Sequence, residues 1–572
     1  MVAATVTALV AGAVVATEAA AQPADTEYTV LAERPSDLAA ARVAVEDAGA
    51  TVVRENPAVG LVVARGPATG FVERVAQSPA VLGAGRVRPI GSLPTAGLRT
   101  AAPAADIPGI DPVEQEHRSR PGPAPSPRLR TPAEPQAPGL DPLDATRFGM
   151  TMTRADAARA VEPGDRRVLV GVLDSGVDAG HPDLAGQLDT GLSRNFAPDI
   201  PTDPNGTPFD GPCEDPSCLD PVGRDDLGHG THVAGIIAAA ADGRGISGVA
   251  PEITLVDLRG GQDSGLLFLQ PVVDALTHGA DVGVDVINMS FGVDPWVYNC
   301  SSSEPDSAEA RIEQQTVVAT MDRTLRYVHE RGVTLVGSMG NNYDDLGAPK
   351  VDRLSPTYPV GSAYPRPIDN ATCHSLPVEG PFVLGVSSVG PSRIKADYSN
   401  YGIEQTDLAA PGGWLRDGLG TPAYESNENL TLSTFPKEIL QAIGDVAPDG
   451  SITEQGQGFG VQRGCDATGG CGYYAYLQGT SMAAPHVAAA AALVVSRFGT
   501  EQPGGGFGMD PLRVEQILRD TAADRACPAP VLSYAPQGRG PEYDAPCVGT
   551  PERNGHYGDG IVDAYAAVTA PR

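Results

Sequence analysis

The pattern of hydrophobic and polar positions divides the chain into four stretches. Residues 2–17 are almost wholly Ala, Val, Leu, Thr and Gly, and Glu18 ends the run. That run is short for a bilayer span. The small residues Ala19-Ala20-Ala21 behind it suit signal-peptidase cleavage, so residues 1–21 are predicted to be an export signal. Between 27 and 92, short β-type runs alternate with helical ones. Strands are predicted at 28–31, 51–54, 61–64 and 81–87, with one helix capped by Ser36 and stopped by Gly49 and a second over 70–77. This βαββαβ order predicts a small α+β, ferredoxin-like module. From 93 to 143 the rhythm vanishes, and Pro recurs with Ala, Gly and Arg between, which predicts an extended linker. From 144 onward the apolar runs are nearly continuous, at 166–173, 284–289 and 333–338, and helical stretches such as 232–241 and 316–331 separate them. Strands apolar on both faces and separated by helices predict a three-layer α/β domain with a mainly parallel sheet over 144–572. In such a sheet the functional site lies at the carboxyl ends of the strands.

Composition narrows the function classes. The chain of 572 residues carries 71 Asp and Glu against 40 Lys and Arg, a formal net charge of −31, which repels phosphate backbones and argues against nucleic-acid binding. Hydrophobic residues make up 41% of the chain, enough for a substantial core. The eight cysteines are even in number and lack zinc-ribbon spacing. Cys213/Cys218, Cys465/Cys471 and Cys527/Cys547 read as local staples, leaving Cys300 with Cys373, one of about 105 pairings that eight cysteines allow. Disulfides agree with export.

Three motifs carry chemistry. Asp174-Ser175-Gly176-Val177-Asp178 follows the first strand of the large domain directly, where backbone donors can hold a carboxylate. His229-Gly230-Thr231-His232-Val233-Ala234-Gly235 opens a helix, and an imidazole is the side chain suited to moving a proton near neutrality. The Glu of a zinc-protease motif is absent from it. Gly479-Thr480-Ser481-Met482-Ala483-Ala484-Pro485-His486 opens an Ala-rich helix. A serine there gains a positive electrostatic field and free backbone N–H groups, and a neighbouring base would make it a nucleophile.

The three motifs, in this order, resemble the signatures of the subtilisin-like serine peptidases, secreted actinobacterial type, over roughly 145–572. The resemblance implies that Asp174 orients His229, that His229 takes the proton of Ser481, and that Ser481 attacks the scissile carbonyl. Asn341 and the Ser481 N–H would bind the developing oxyanion. Residues 286–292 resemble the substrate-pairing strand, with Ser290, Phe291, Gly292 and Gly340 at the substrate. Met339 stands where the family has a small residue. Asp183, after His181-Pro182, and Asp242, in the loop after the His helix, resemble calcium ligands, with carbonyls of Ala240, Arg244 and Ile246 beside them. Oxygen-only ligation suits Ca²⁺. No cofactor is implied for the chemistry, only a structural Ca²⁺. The module at 27–92 resembles the family's inhibitor-type propeptide.

The resemblance thus implies a secreted, monomeric endopeptidase made as a zymogen. Its partners would be polypeptide substrates and its own propeptide, with no nucleic acid and, once the signal is removed, no membrane. Insertions at 197–227, 343–381 and 414–477 flank the motifs and are expected to rim the cleft. Two alternatives are a processing peptidase for one secreted precursor and an inactive binding protein on the same fold.

Overall fold

A computed structural model describes residues 26–87, 89–92, 108, 110–119, 141–202, 208–292, 296–356, 363–466, 469–502 and 506–571. The export signal expected at 1–21 lies outside them. The first unit has the expected alternation: β1 (Thr26–Ala32), α1 (Leu38–Asp47), β2 (Thr51–Asn56), β3 (Leu61–Gly66), α2 (Phe71–Val75) and β4 (Val81–Arg86). Its four strands lie in the order β2-β3-β1-β4, with every neighbouring pair antiparallel. The expected Ser36 cap is not made. A 3₁₀ turn over Pro35–Asp37 precedes α1, and Asp37 at the cap position pairs with Arg34 at 2.8 Å instead.

The unit leans on the larger domain. Strand β5 (Pro89–Ser92) follows it. Strands β6 (Leu169–Leu173), β7 (Arg194–Asn195) and β8 (Thr254–Arg259) come next, with helix α3 (His229–Ala238) between the last two. Then come β9 (Leu266–Phe268), α4 (Leu269–Asp281), β10 (Val286–Met289), α5 (Ala308–His329), β11 (Thr334–Ser338), β12 (Val383–Val389) and β13 (Leu408–Pro411). β5 pairs antiparallel with β9. Asn56 donates to Asp274 and Thr277 of α4 at 2.8 Å each, and Arg323 of α5 donates to the carbonyls of Ala32, Glu33 and Val59.

Seven strands form the main sheet in the order β13-β12-β11-β10-β6-β8-β7, and every paired neighbour is parallel. Alternate residues of one strand feed two cores. Val170 and Val172 of β6, Val286 of β10 and Val336 of β11 face the core around α8 (Thr480–Phe498). Leu173, Ile287 and Leu335 face the core beneath α4 and α5. This is why the strands read as continuous apolar runs. Each fully buried Val, Leu or Ile contributes about 1.5–3 kcal/mol of transfer free energy. Helix α8 is apolar over a length that would cross a membrane, but 83% of that stretch is buried, so its apolarity serves the core.

All eight cysteines are paired, as Cys213–Cys218, Cys300–Cys373, Cys465–Cys471 and Cys527–Cys547. The insertion at 414–477 builds its own three-stranded sheet from Thr431–Phe435, Gln462–Cys465 and Cys471–Leu477, together with helices α6 (Lys437–Ala442) and α7 (Glu454–Gly458).

Candidate active site

Asp174 follows the last residue of β6, at the carboxyl edge of the sheet. Its Oδ1 accepts from the Ser175 N–H and meets His229 Nδ1, at 2.8 Å each. Both side chains are fully buried. His229 is the first residue of α3, and Asp225 holds that helix end. Its two oxygens accept from the N–H groups of Leu227, Gly228 and Thr231 and from the Thr231 hydroxyl. A Cβ on Gly230 would lie 2.1 Å from the Gly176 carbonyl oxygen, so only glycine lets the helix start and the strand-end loop approach this closely. Asp225 belongs to the insertion at 197–227. Its spacing, four residues before the helix start at His229 with Thr231 beyond it, is the available sequence signal for a cap.

Ser481 is the second residue of α8. Its Oγ donates to the Ser290 carbonyl at 3.3 Å, and its own carbonyl accepts from the Ser290 hydroxyl at 2.9 Å. Asn341 follows β11. Its Oδ1 accepts from the N–H and hydroxyl of Thr480 at 3.0 Å each, which commits the oxygen and turns Nδ2 toward the cleft. Asn400, unnoticed in the sequence, holds this loop by donating to the Met339 carbonyl and accepting from the N–H groups of Asn342 and Asp344. Gly340 donates its N–H to Thr480 Oγ1 at 3.0 Å. Ser290 and Phe291 are buried, so Phe291 offers a substrate its backbone only, while a Cβ on Gly292 would meet nothing within 4 Å.

The cleft holds a piece of its own chain. Residues 110–119 were expected to be part of an extended linker, yet Ile110, Asp111, Glu114, Gln115, His117 and Arg118 are buried. Glu114 Oε2 lies 3.3 Å from His229 Nε2, and Asn341 Nδ2 donates to Glu114 Oε1 at 3.3 Å and to Asp111 Oδ2 at 3.0 Å. The Gln478 N–H donates to the Glu114 carbonyl at 2.9 Å, and a Cβ on Gly479 would lie 2.7 Å from Glu114 Oε1. Glu116 pairs with Arg416 and, at 3.1 Å, with Arg539. The carboxyl of Glu114 thus bridges the imidazole and the amide, and His229 Nε2 faces Glu114 where the expected mechanism has it facing Ser481. The overall Pro content of 93–143 hid this segment. Between Pro112 and Pro121 there is no proline, and five of the eight residues are Glu, His or Arg.

Burial alone would lower the His229 pKa. The flanking carboxylates of Asp174 and Glu114 override it and hold the imidazole well above its ordinary value. His232, one turn on, is pushed down to about 3, chiefly by burial, and its Nε2 faces the carbonyls of Thr431 and Ala475.

The two carboxylates that resembled calcium ligands do come together, but around an arginine. Arg244 pairs with Asp242 at 2.5 Å and with Asp183 at 3.5 Å. Asp183 Oδ2 also accepts from the Ile246 N–H and the Tyr474 hydroxyl. A guanidinium already supplies the positive charge there and would have to withdraw before a metal ion could enter. A different acidic group stands in the first insertion and beyond it: Asp199, Glu214, Asp220 and Asp263 have ligand atoms within 4.8 Å of one another. Asp199 is 7% exposed, and neither of its carboxylate oxygens has a hydrogen-bond partner among the described residues.

A parallel sheet between helical layers, with Asp, His and Ser at its carboxyl edge, defines the subtilisin-like class of α/β hydrolytic proteins. The profile of the subtilase family matches residues 165–558, and the chain belongs to that family. Fervidolysin of Fervidobacterium pennivorans is 29% identical over 371 residues, 64% of this chain and 38% of that protein. The major intracellular serine protease of Bacillus subtilis is also 29% identical, over 61% of this chain and 74% of its own length. The chain therefore matches less than half of fervidolysin and about three quarters of the Bacillus enzyme. The fold is shared with the crystal structure of fervidolysin, at a TM-score of 0.55 and 20% identity over 96% of this chain and 62% of that one. It is shared too with the epidermin leader peptide processing serine protease of Staphylococcus aureus, at a TM-score of 0.59 and 17% identity over 95% and 98%.

Proposed function

We propose that the chain is a secreted serine endopeptidase, made as a latent precursor, that hydrolyses peptide bonds through Ser481, His229 and Asp174. The observation that carries the reading is the 2.8 Å contact between Asp174 Oδ1 and His229 Nδ1, buried beside the helix end that presents Ser481. Asp174 fixes the imidazole with its Nε2 toward the cleft and stabilises the imidazolium that forms. Once Glu114 withdraws, Nε2 takes the proton of Ser481 as Oγ leaves its weak contact with Ser290 and attacks the scissile carbonyl. The oxyanion is met by Asn341 Nδ2 and the Ser481 N–H. Collapse passes the proton from His229 to the leaving amine, and water, activated by the same imidazole, cleaves the acyl-enzyme. The backbone of Ser290–Gly292 holds the substrate main chain, a mode indifferent to most side chains. Polypeptides are the substrates, and the enzyme acts as a monomer.

Residues 27–92 act as its propeptide. Their packing on α4 and α5 and the pairing of β5 with β9 support this role. Four disulfides support export. Covalent labelling by a fluorophosphonate probe, mapped by mass spectrometry to Ser481, tests the reading. A chain that stays unlabelled after the 110–119 segment has been unseated by Glu114→Ala would refute it.

Asn341→Ala is expected to lower kcat by roughly 10²–10³, the size documented for the corresponding donor in subtilisin, with KM nearly unchanged. A comparable rise in KM instead would assign Asn341 to ground-state binding.

No cofactor enters the chemistry. A structural Ca²⁺ would be held by Asp199 and Glu214 with Asp220 and Asp263, in competition with Arg259, which pairs with Asp220 at 2.9 Å and with Asp263 at 2.6 Å; the buried carboxylate of Asp199, without a hydrogen-bond partner among the described residues, is what favours this group. Excess Ca²⁺ is expected to raise the melting temperature by several degrees, as any ligand selective for the folded state does. Asp199→Asn should abolish the rise and Asp242→Asn should leave it. Equal loss in both variants would return the ion to Asp183 and Asp242.

A further inference from the structure

The segment that fills the cleft marks a recognition pocket that the mechanism does not use. Arg118 lies four residues beyond Glu114 and is 2% exposed. Its Nη1 pairs with Asp445 Oδ2 at 2.8 Å, and its guanidinium carbon stands 4.2 Å from the centre of the Phe459 ring. Both pocket residues belong to the insertion at 414–477, the one expected to rim the cleft. Asp445 is fully buried, and its Oδ1 is held by Gln455 Nε2 at 2.9 Å, so the carboxylate is aimed before any guest arrives. Among the described residues, Oδ2 is met by Arg118 alone. A fixed carboxylate beside an aromatic face is the chemistry that selects a planar guanidinium over a compact ammonium. When 110–119 leaves, this carboxylate loses its cationic partner and favours a replacement of the same kind.

We infer that Asp445 and Phe459 form a guanidinium-binding subsite of the cleft, filled by Arg118 in the latent chain and by an arginine of the peptide substrate in the active enzyme. The inference rests on the peptidase reading above and adds a selected side chain to it.

Binding tests it independently of catalysis. The host is the full-length chain carrying Ser481→Ala, Glu114→Ala and Arg118→Ala, which neither cuts nor refills the pocket. The probe is a fluorescein-labelled decapeptide of sequence IDPVEQEHRS, compared with versions having citrulline or lysine in place of its arginine. Fluorescence anisotropy should show the arginine peptide binding about 10- to 100-fold tighter than the citrulline one, the range for a hydrogen bond to a charged group. Lysine should fall between. Adding Asp445→Asn, which keeps the Gln455 contact, should erase the difference, and Phe459→Leu should reduce it. Equal binding of arginine and citrulline peptides, or no binding of either, overturns the inference.

In the chain with an intact Ser481 and Glu114→Ala, products of a proteome digest should show arginine enriched at one fixed position relative to the cut. Asp445→Asn should remove that enrichment while fluorophosphonate labelling persists. Loss of labelling in the Asp445-intact chain would instead indict the peptidase reading, and the anisotropy result would still stand for the pocket.

Discussion

Replacing Ser481 with alanine is expected to lower kcat about a millionfold, the size documented for the corresponding serine of subtilisin. The magnitude follows from what the site retains without the hydroxyl. Asn341 Nδ2 and the backbone N–H at the start of α8 would still bind a developing oxyanion, and the Asp174–His229 pair would still accept a proton, but no protein oxygen would become the nucleophile. The substitution should cost little stability. Ser481 Oγ makes one weak contact, 3.3 Å to the Ser290 carbonyl, and alanine fits a tightly packed helix end with no new volume. Thermal denaturation within a few degrees of wild type, together with lost activity and lost fluorophosphonate labelling, is the expected pair of results. Retained activity in a folded Ser481→Ala chain would remove the serine mechanism altogether. The same variant should accumulate as the uncut chain if maturation is autocatalytic.

The parallel sheet was legible because its central strands are buried on both faces. A strand that feeds two cores has no polar side, so runs such as 169–173 and 334–338 could not be mistaken for half-exposed antiparallel strands. The disulfide pairs were legible from short loop separations, which left one long-range pair by elimination. Motif residues were legible because each needs a glycine or small neighbour at a close approach, as Gly230 does against Gly176. Three features were not legible, for one shared reason: they depend on partners far away in sequence. Arg244 lies two residues from Asp242, yet nothing local says that it turns back to fill the space between Asp242 and Asp183. Asn400 anchors the Asn341 loop from 59 residues away, through hydrogen bonds that any polar loop residue could make on paper. The segment 110–119 sits in a stretch whose average composition is that of an open linker, and its charges acquire meaning only beside His229, Arg416, Arg539 and Asp445. Propensity and pattern describe how a segment folds against itself, not which distant charge it will meet.

Glu114→Ala is expected to speed fluorophosphonate labelling of the full-length chain about 10- to 100-fold near pH 6–7, because it removes a charge-assisted contact that holds the segment in the cleft. The pH dependence gives the prediction its sign. With the segment seated, the imidazole of His229 is flanked by Asp174 on one ring nitrogen and Glu114 on the other, and its pKa stands well above the ordinary 6.5. His232 beside it is uncharged near neutrality and adds no competing positive charge there. A group whose pKa is raised in one state stabilises that state fully below its ordinary value, and the stabilisation disappears as pH climbs through the raised value. While Glu114 is ionised, the seated state is therefore tightest below the pKa of the unseated Asp174–His229 pair and loosens as pH climbs toward the raised value of the seated imidazole. Since the protonated imidazole also cannot act as a base, latency and inactivity coincide at low pH. In the wild-type chain the labelling rate should keep rising well into the alkaline range. In Glu114→Ala it should level off once the base of the Asp174–His229 pair has titrated. Glu114→Gln, which retains the shape and one hydrogen-bond partner for Asn341 but not the charge, should follow the alanine variant in its pH profile while labelling more slowly. Labelling rates from about pH 5.5 to 9.5 on the three chains decide the matter. Parallel profiles for wild type and Glu114→Ala would mean that the carboxyl of residue 114 does not govern access to the serine.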